Sequence, residues 1–162
     1  MNAIYRKLTN EVAVGGTAVL IDSDYRTVLR CISLMRDSSV PDAIKFDKIV
    51  KWFYRSAAIP EGTAASDMIE AFAEFVSCGE SVDSGGEALF DFDTDAPEIY
   101  ASFLAVYKVD LAETEFLHWH KFLILLRNLP CDCALLRKIA QGKRCETLSE
   151  EDSLFDELLS KC

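Results

Sequence analysis

The densest apolar run in the chain is Phe116–Leu129, F-L-H-W-H-K-F-L-I-L-L-R-N-L, interrupted only by His118, His120, Lys121, Arg127 and Asn128. Apolar residues on nearly every face predict a buried central helix, starting near Ala112 and ended by Pro130. A membrane span needs about 20 apolar residues, so this shorter, charged run is read as core. The segments before it carry one apolar stripe each. Glu11–Asp22 alternates on both sides of Gly15-Gly16, which predicts a β-hairpin over about 11–21, because both glycines accept positive φ. Asp22 or Asp24 then caps a helix to Arg36, striped by Tyr25, Val28, Leu29, Ile32 and Met35. Asp37-Ser38-Ser39 breaks it. Pro41 opens the next helix, whose stripe is Ile44, Ile49, Val50 and Phe53, with Phe46 and Trp52 to one side. Ile59–Gly62 reads as a loop, and a third helix over Ala64–Cys78 turns Met68, Ile69, Phe72, Phe75 and Val76 to one face.

Gly79–Glu87, G-E-S-V-D-S-G-G-E, is the clearest loop signal and divides the chain into halves, neither large enough to make a secure domain alone. Asp95-Ala96-Pro97-Glu98 reads as a capping box opening a helix through Ile99, Tyr100, Phe103, Leu104 and Tyr107. Val109-Asp110-Leu111 connects to the central helix. After Pro130, Asp132 can cap a short helix to about Gln141, with Gly142 as its stop. Ser149–Asp152 opens an acidic C-terminal helix over about 149–160, with Leu154, Phe155, Leu158 and Leu159 on one side. The expected architecture is mainly α: a single domain over 1–162, with a small N-terminal β-hairpin and a helical body at about 22–141. In all, the pattern predicts a bundle of about six or seven helices.

Charge narrows the partners. Twenty-seven Asp and Glu against 17 Lys and Arg leave a net charge of −10, which opposes binding to phosphate backbones and argues against nucleic acid. No stretch is apolar and long enough for the membrane. The opening M-N-A-I-Y-R-K-L-T-N-E-V has no apolar signal core, so the six cysteines are expected to be free thiols in a reducing cytoplasm.

Candidate chemistry is thin. Asp91-Phe92-Asp93-Thr94-Asp95 opens like a calcium loop, but Ala96 stands where the required glycine belongs and Ser102 where the closing glutamate belongs. His118 and His120 with Cys131, Cys133 and Cys145 have residue types that suit zinc. On a helix, however, i and i+2 point about 200° apart, so the two imidazoles should not share an ion. Cys131 near a helix start lacks an assignable base, and no nucleophile elbow, Walker loop or dinucleotide motif occurs. No catalytic, cofactor or metal residue is therefore expected, and the chain reads as a non-enzyme. Candidate partner-binding residues are Trp52 and Trp119, natural anchors if exposed, and Leu154, Phe155, Leu158 and Leu159 of the terminal helix. That helix either packs back on the core or is presented to a partner or a second copy.

Several segments together resemble the bacteriophage gene-product-fifteen family of tail-region proteins. They are Ile21–Arg30 after the hairpin, D-F-D-T-D-A-P-E-I-Y-A-S-F at Asp91–Phe103, Tyr107–Leu111, and Leu117–Leu129 with its Leu-His-Trp start. The likeness covers about Glu11–Ala140. His120 stands where the family pattern has a second tryptophan, and an acidic helix replaces the basic polar end. The resemblance implies a mostly helical protein of the infected bacterial cytoplasm and, from the family's gene position, a tail assembly chaperone that holds the tape-measure protein soluble. The alternatives are a structural component kept in the tail, or an enzyme or metal protein.

Overall fold

The computed structural model describes residues 7–55, 59, 62–78 and 90–141. The Gly79–Glu87 loop, the stop at Gly142, and Cys145, Leu154, Phe155, Leu158, Leu159 and the acidic helix that carries the four apolar residues lie outside these. The described chain is mainly α, with β1 (Glu11–Val14), β2 (Thr17–Leu20), α1 (Tyr25–Arg36), α2 (Asp42–Trp52), α3 (Ala65–Ser77), α4 (Ala96–Tyr107) and α5 (Trp119–Arg127). Residues 134–141 form a further helix, α6. No helix among the described residues is long and apolar enough to cross a membrane. The chain divides into two compact units, one of residues 1–86 and 115–125, the other of residues 87–114 and 126–162.

In the first unit β1 and β2 pair antiparallel, with Val14 opposite Thr17 and Glu11 opposite Leu20. The turn takes φ of 56° at Gly15 and 81° at Gly16, the left-handed pair that a tight hairpin needs. Val14 and Val19 go inside, α3 packs along β1, and α1 packs on α2. The core is strongly aromatic. Phe53 meets Tyr54, Phe72 and Phe75, while Phe122 stacks on Tyr25 at 4.8 Å and on Trp119 at 5.7 Å. Tyr54 is fully buried and donates its hydroxyl to the Met68 carbonyl, which satisfies the one polar atom it brings inside. Burial pushes this phenol's pKa upward.

Two stripes differ from their periodicity. On α1 the buried residues are Tyr25, Val28 and Cys31, and Met35 is exposed. On α2 Ile44 is exposed and Lys45 takes the inner position, its Nζ 3.2 Å from the Met35 carbonyl oxygen and 3.8 Å from an Asp42 oxygen. A lysine can do this because its methylenes cover apolar surface while its ammonium answers the carbonyls freed at the end of α1.

The central helix also begins later than expected. Asp110 accepts from the backbone N–H groups of Ala112 and Glu113, and Thr114 donates its hydroxyl to the Asp110 carbonyl, so residues 110–114 close as a separate turn. Leu117 and His118 are extended. The Tyr25 N–H donates to the Leu117 carbonyl at 2.9 Å and the Trp119 N–H to that of Ser23 at 2.8 Å, forming an antiparallel bridge between Asp24 and His118. α5 then starts at Trp119. Its buried side chains, Trp119, Phe122, Leu123 and Leu126, form one stripe, with Ile124 exposed, so it is not buried all round.

The second unit has a smaller core of Ile99, Phe103, Leu111, Leu126, Leu129, Cys133 and Leu135. Pro97 occupies the first turn of α4, but the expected capping box does not form. Asp95 accepts from the Asp91 N–H at 2.8 Å and lies 2.7 Å from Lys138 Nζ, and Glu98 lies 3.1 Å from the same ammonium. These carboxylates thus tie α4 to α6. The hydrogen bond from Lys138 holds the Asp95 carboxyl below its ordinary value. Buried Ser102 accepts from the Leu135 N–H and donates to the Glu98 carbonyl.

Candidate functional site

Helix α3 ends with carbonyls that have no partner within the helix. Cys78 takes a left-handed conformation, φ 59°, and returns its N–H to the Glu74 and Phe75 carbonyls. Trp119 Nε1 donates to the Val76 carbonyl at 3.1 Å, and His120 Nε2 lies 2.8 Å from the Phe75 carbonyl oxygen. Next to them, His118 Nε2 lies 3.2 Å from the Thr9 carbonyl oxygen. A carbonyl only accepts, so both imidazoles carry their proton on Nε2. His118 Nδ1 accepts from the His120 N–H at 3.1 Å, which makes the buried His118 neutral with both nitrogens engaged. Three successive aromatic side chains thus donate to three carbonyls, two of them at the end of α3.

The imidazoles do not point apart. His118 precedes the helix, the ring centroids are 5.1 Å apart, and both rings contact Phe75, at 5.9 Å for His118 and 4.4 Å for His120. The expectation from helical spacing fails because α5 begins only at Trp119. Burial is the main cause that lowers the pKa of each, opposed by its carbonyl hydrogen bond. His118 and His120 are occupied in holding backbone, and among the described residues no group of three or more His, Cys, Asp or Glu is placed to hold a metal ion. Asp91, the first residue of the calcium-like run, accepts from the Asp93 and Thr94 N–H groups in a local turn.

Beside this clamp lies a cleft of about 430 Å³, lined by Thr9, Glu11, Val12 and Ala13 along β1, by Ala71, Glu74, Phe75 and Cys78 on α3, and by His120. The α3 residues recur at i, i+3, i+4 and i+7, so one helix face forms a wall. Adjacent residues of β1 line the other side, which places the strand edge toward the cleft. Among the described residues its charged side chains are the carboxylates of Glu11 and Glu74, and no described lysine or arginine lines it.

The proposed anchors are placed as follows. Trp119 is 1% exposed, a core residue. Trp52 is half-buried, with the Arg30 guanidinium 5.3 Å and the Lys48 ammonium 5.8 Å from its ring centre. Cys31, Cys131 and Cys133 are free thiols, with Cys131 exposed and Cys133 buried. Sequence reasoning did not find the cleft, since its signal is spread over Glu11, Glu74 and His120, which only the fold brings together.

The family model described as Bacteriophage Gp15 protein matches residues 5–158. No curated protein matches the chain, and no solved structure does. With nearly its whole length matched, the chain belongs to the bacteriophage Gp15 family.

Proposed function

We propose that this member of the bacteriophage Gp15 family is a non-enzymatic tail assembly chaperone. In this role it binds the tape-measure protein in the bacterial cytoplasm and keeps it soluble until tube subunits polymerise around it. Family membership over residues 5–158 carries the reading, through the tail-region gene position that the resemblance implies. The physical character of the chain supports it. A net charge of −10 limits self-aggregation in a protein that handles an aggregation-prone client. The two histidines that most suggested chemistry are engaged with backbone carbonyls, which suits structure better than proton transfer.

The test is co-expression with the tape-measure protein encoded beside it. Soluble tape measure should rise, the two should elute together, and purified particles should lack this chain. Stoichiometric presence in particles would instead assign it to the finished tail, and neither co-elution nor a gain in soluble yield would remove the chaperone reading.

A further inference from the structure

We infer that the cleft between β1 and α3 takes an extended, cationic segment of a partner protein, added as a third strand on the outer edge of β1. In an antiparallel pair, residues alternate between bonding inward to the partner strand and pointing outward. The Ile21 N–H donates to the Asn10 carbonyl, so Asn10, Val12 and Val14 bond toward β2 and its continuation. The backbone groups of Glu11 and Ala13 therefore face outward. Among the described residues they have no hydrogen-bond partner, and both residues line the cleft. An edge with free N–H and C=O groups is a template for strand addition.

Charge selects the occupant. Glu11 and Glu74 stand on opposite walls with no lysine or arginine among the described lining residues, so a basic side chain entering the cleft would neutralise carboxylates that have no ion pair among the described residues. Ala71 and Phe75 give alternate side chains of the strand an apolar wall, as period-two geometry requires. A second copy of this chain is a poor occupant, because it would bring a further carboxylate-bearing edge into an acidic cleft. The inference names the chemistry of the segment that the proposed assembly role needs, and rests on that role only for which protein supplies it.

The probe is a short labelled peptide alternating lysine and valine, followed by fluorescence anisotropy at low and high salt, with a peptide alternating glutamate and valine as control. Binding of the lysine peptide alone, weakened by salt, is expected. Glu11→Lys with Glu74→Lys should weaken it by about tenfold or more. Ala13→Pro removes the outward N–H without touching a bond to β2, and should weaken it similarly while the thermal midpoint holds. No binding, or binding unaffected by these variants, would overturn the site. So would a loss with the charge reversals but not with Ala13→Pro, since strand addition would then be absent. Elution as a dimer that Ala13→Pro dissociates would also overturn it, in favour of a second copy. Failure of the peptide with tape-measure co-elution intact would sink the cleft and leave the chaperone role standing, while peptide binding without co-elution would do the reverse.

Discussion

The carboxylate of Asp24 reaches a residue 93 positions away: one oxygen accepts from the Arg26 N–H at 3.0 Å, and the other accepts from the Leu117 N–H at 3.2 Å. One side chain thus caps α1 and anchors the extended segment that leads into α5. Asp24→Asn keeps one acceptor but turns an amide donor toward the other N–H, so it should not rescue. Both Asp24→Asn and Asp24→Ala are expected to cost about 2 kcal/mol, combining a lost cap with a lost charge-assisted bond. Urea unfolding should show the midpoint falling with the slope unchanged.

Stability should fall in mild acid. The folded pKa values of His118 and His120 lie below their ordinary value of 6.5, with burial as the leading cause. The unfolded chain therefore takes up protons first as pH falls. The imidazole contribution is complete above about pH 6.5 and is lost as pH drops through the folded values. Urea midpoints measured from about pH 7.5 to 5 should decline. Most of the decline should vanish in His118→Gln with His120→Gln, whose amides can still donate to the Thr9 and Phe75 carbonyls.

Trp119→Phe tests the clamp at the end of α3. It removes both ring volume and the donor to the Val76 carbonyl, and should cost about 2–4 kcal/mol. Intrinsic fluorescence should also change character. Iodide should quench Trp52 more than Trp119 in the native protein, because Trp119 is 1% exposed.

Thiol chemistry should sort by burial. Burial of Cys31 pushes its thiol up to about 12, outweighing the nearby Arg30 charge that pulls it down. Cys131 is exposed. A thiol reagent should therefore modify Cys131 rapidly in the native state, and Cys31 and Cys133 only when the protein unfolds.

The core assignment itself is tested by Leu123→Asp. Leu123 is 8% exposed, and an uncompensated carboxylate there costs several kcal/mol, enough to unfold a marginal domain. A wild-type melting temperature for this variant would contradict the packing of α5.

What was legible follows from the range of the forces. Gly15-Gly16, the Asp24 cap and the α3 stripe are local signals, and each appears near its expected place. The start of α5 was not legible, because Leu117 and Trp119 bond their backbones to Ser23–Tyr25, far away in sequence. The inner place of Lys45 was not legible, because hydropathy counts its charge and ignores the methylenes that carry its ammonium to the Met35 carbonyl. The cleft depends on strand edge, helix face and His120 converging, which no periodicity encodes.

The discontinuity of the first unit has a consequence for synthesis. Its hairpin and α1–α3 lie within residues 11–77, yet Trp119 and Phe122 arrive from residues 115–125. A ribosome adding about 5–20 residues per second releases the early helices seconds before those rings exist. Tyr25 must wait for the ring that stacks on it, and the Phe75 and Val76 carbonyls must wait for their side-chain partners His120 and Trp119. Nascent chains arrested before residue 115 should therefore be protease-sensitive, and protection should appear only after residues 115–125 have cleared the exit tunnel.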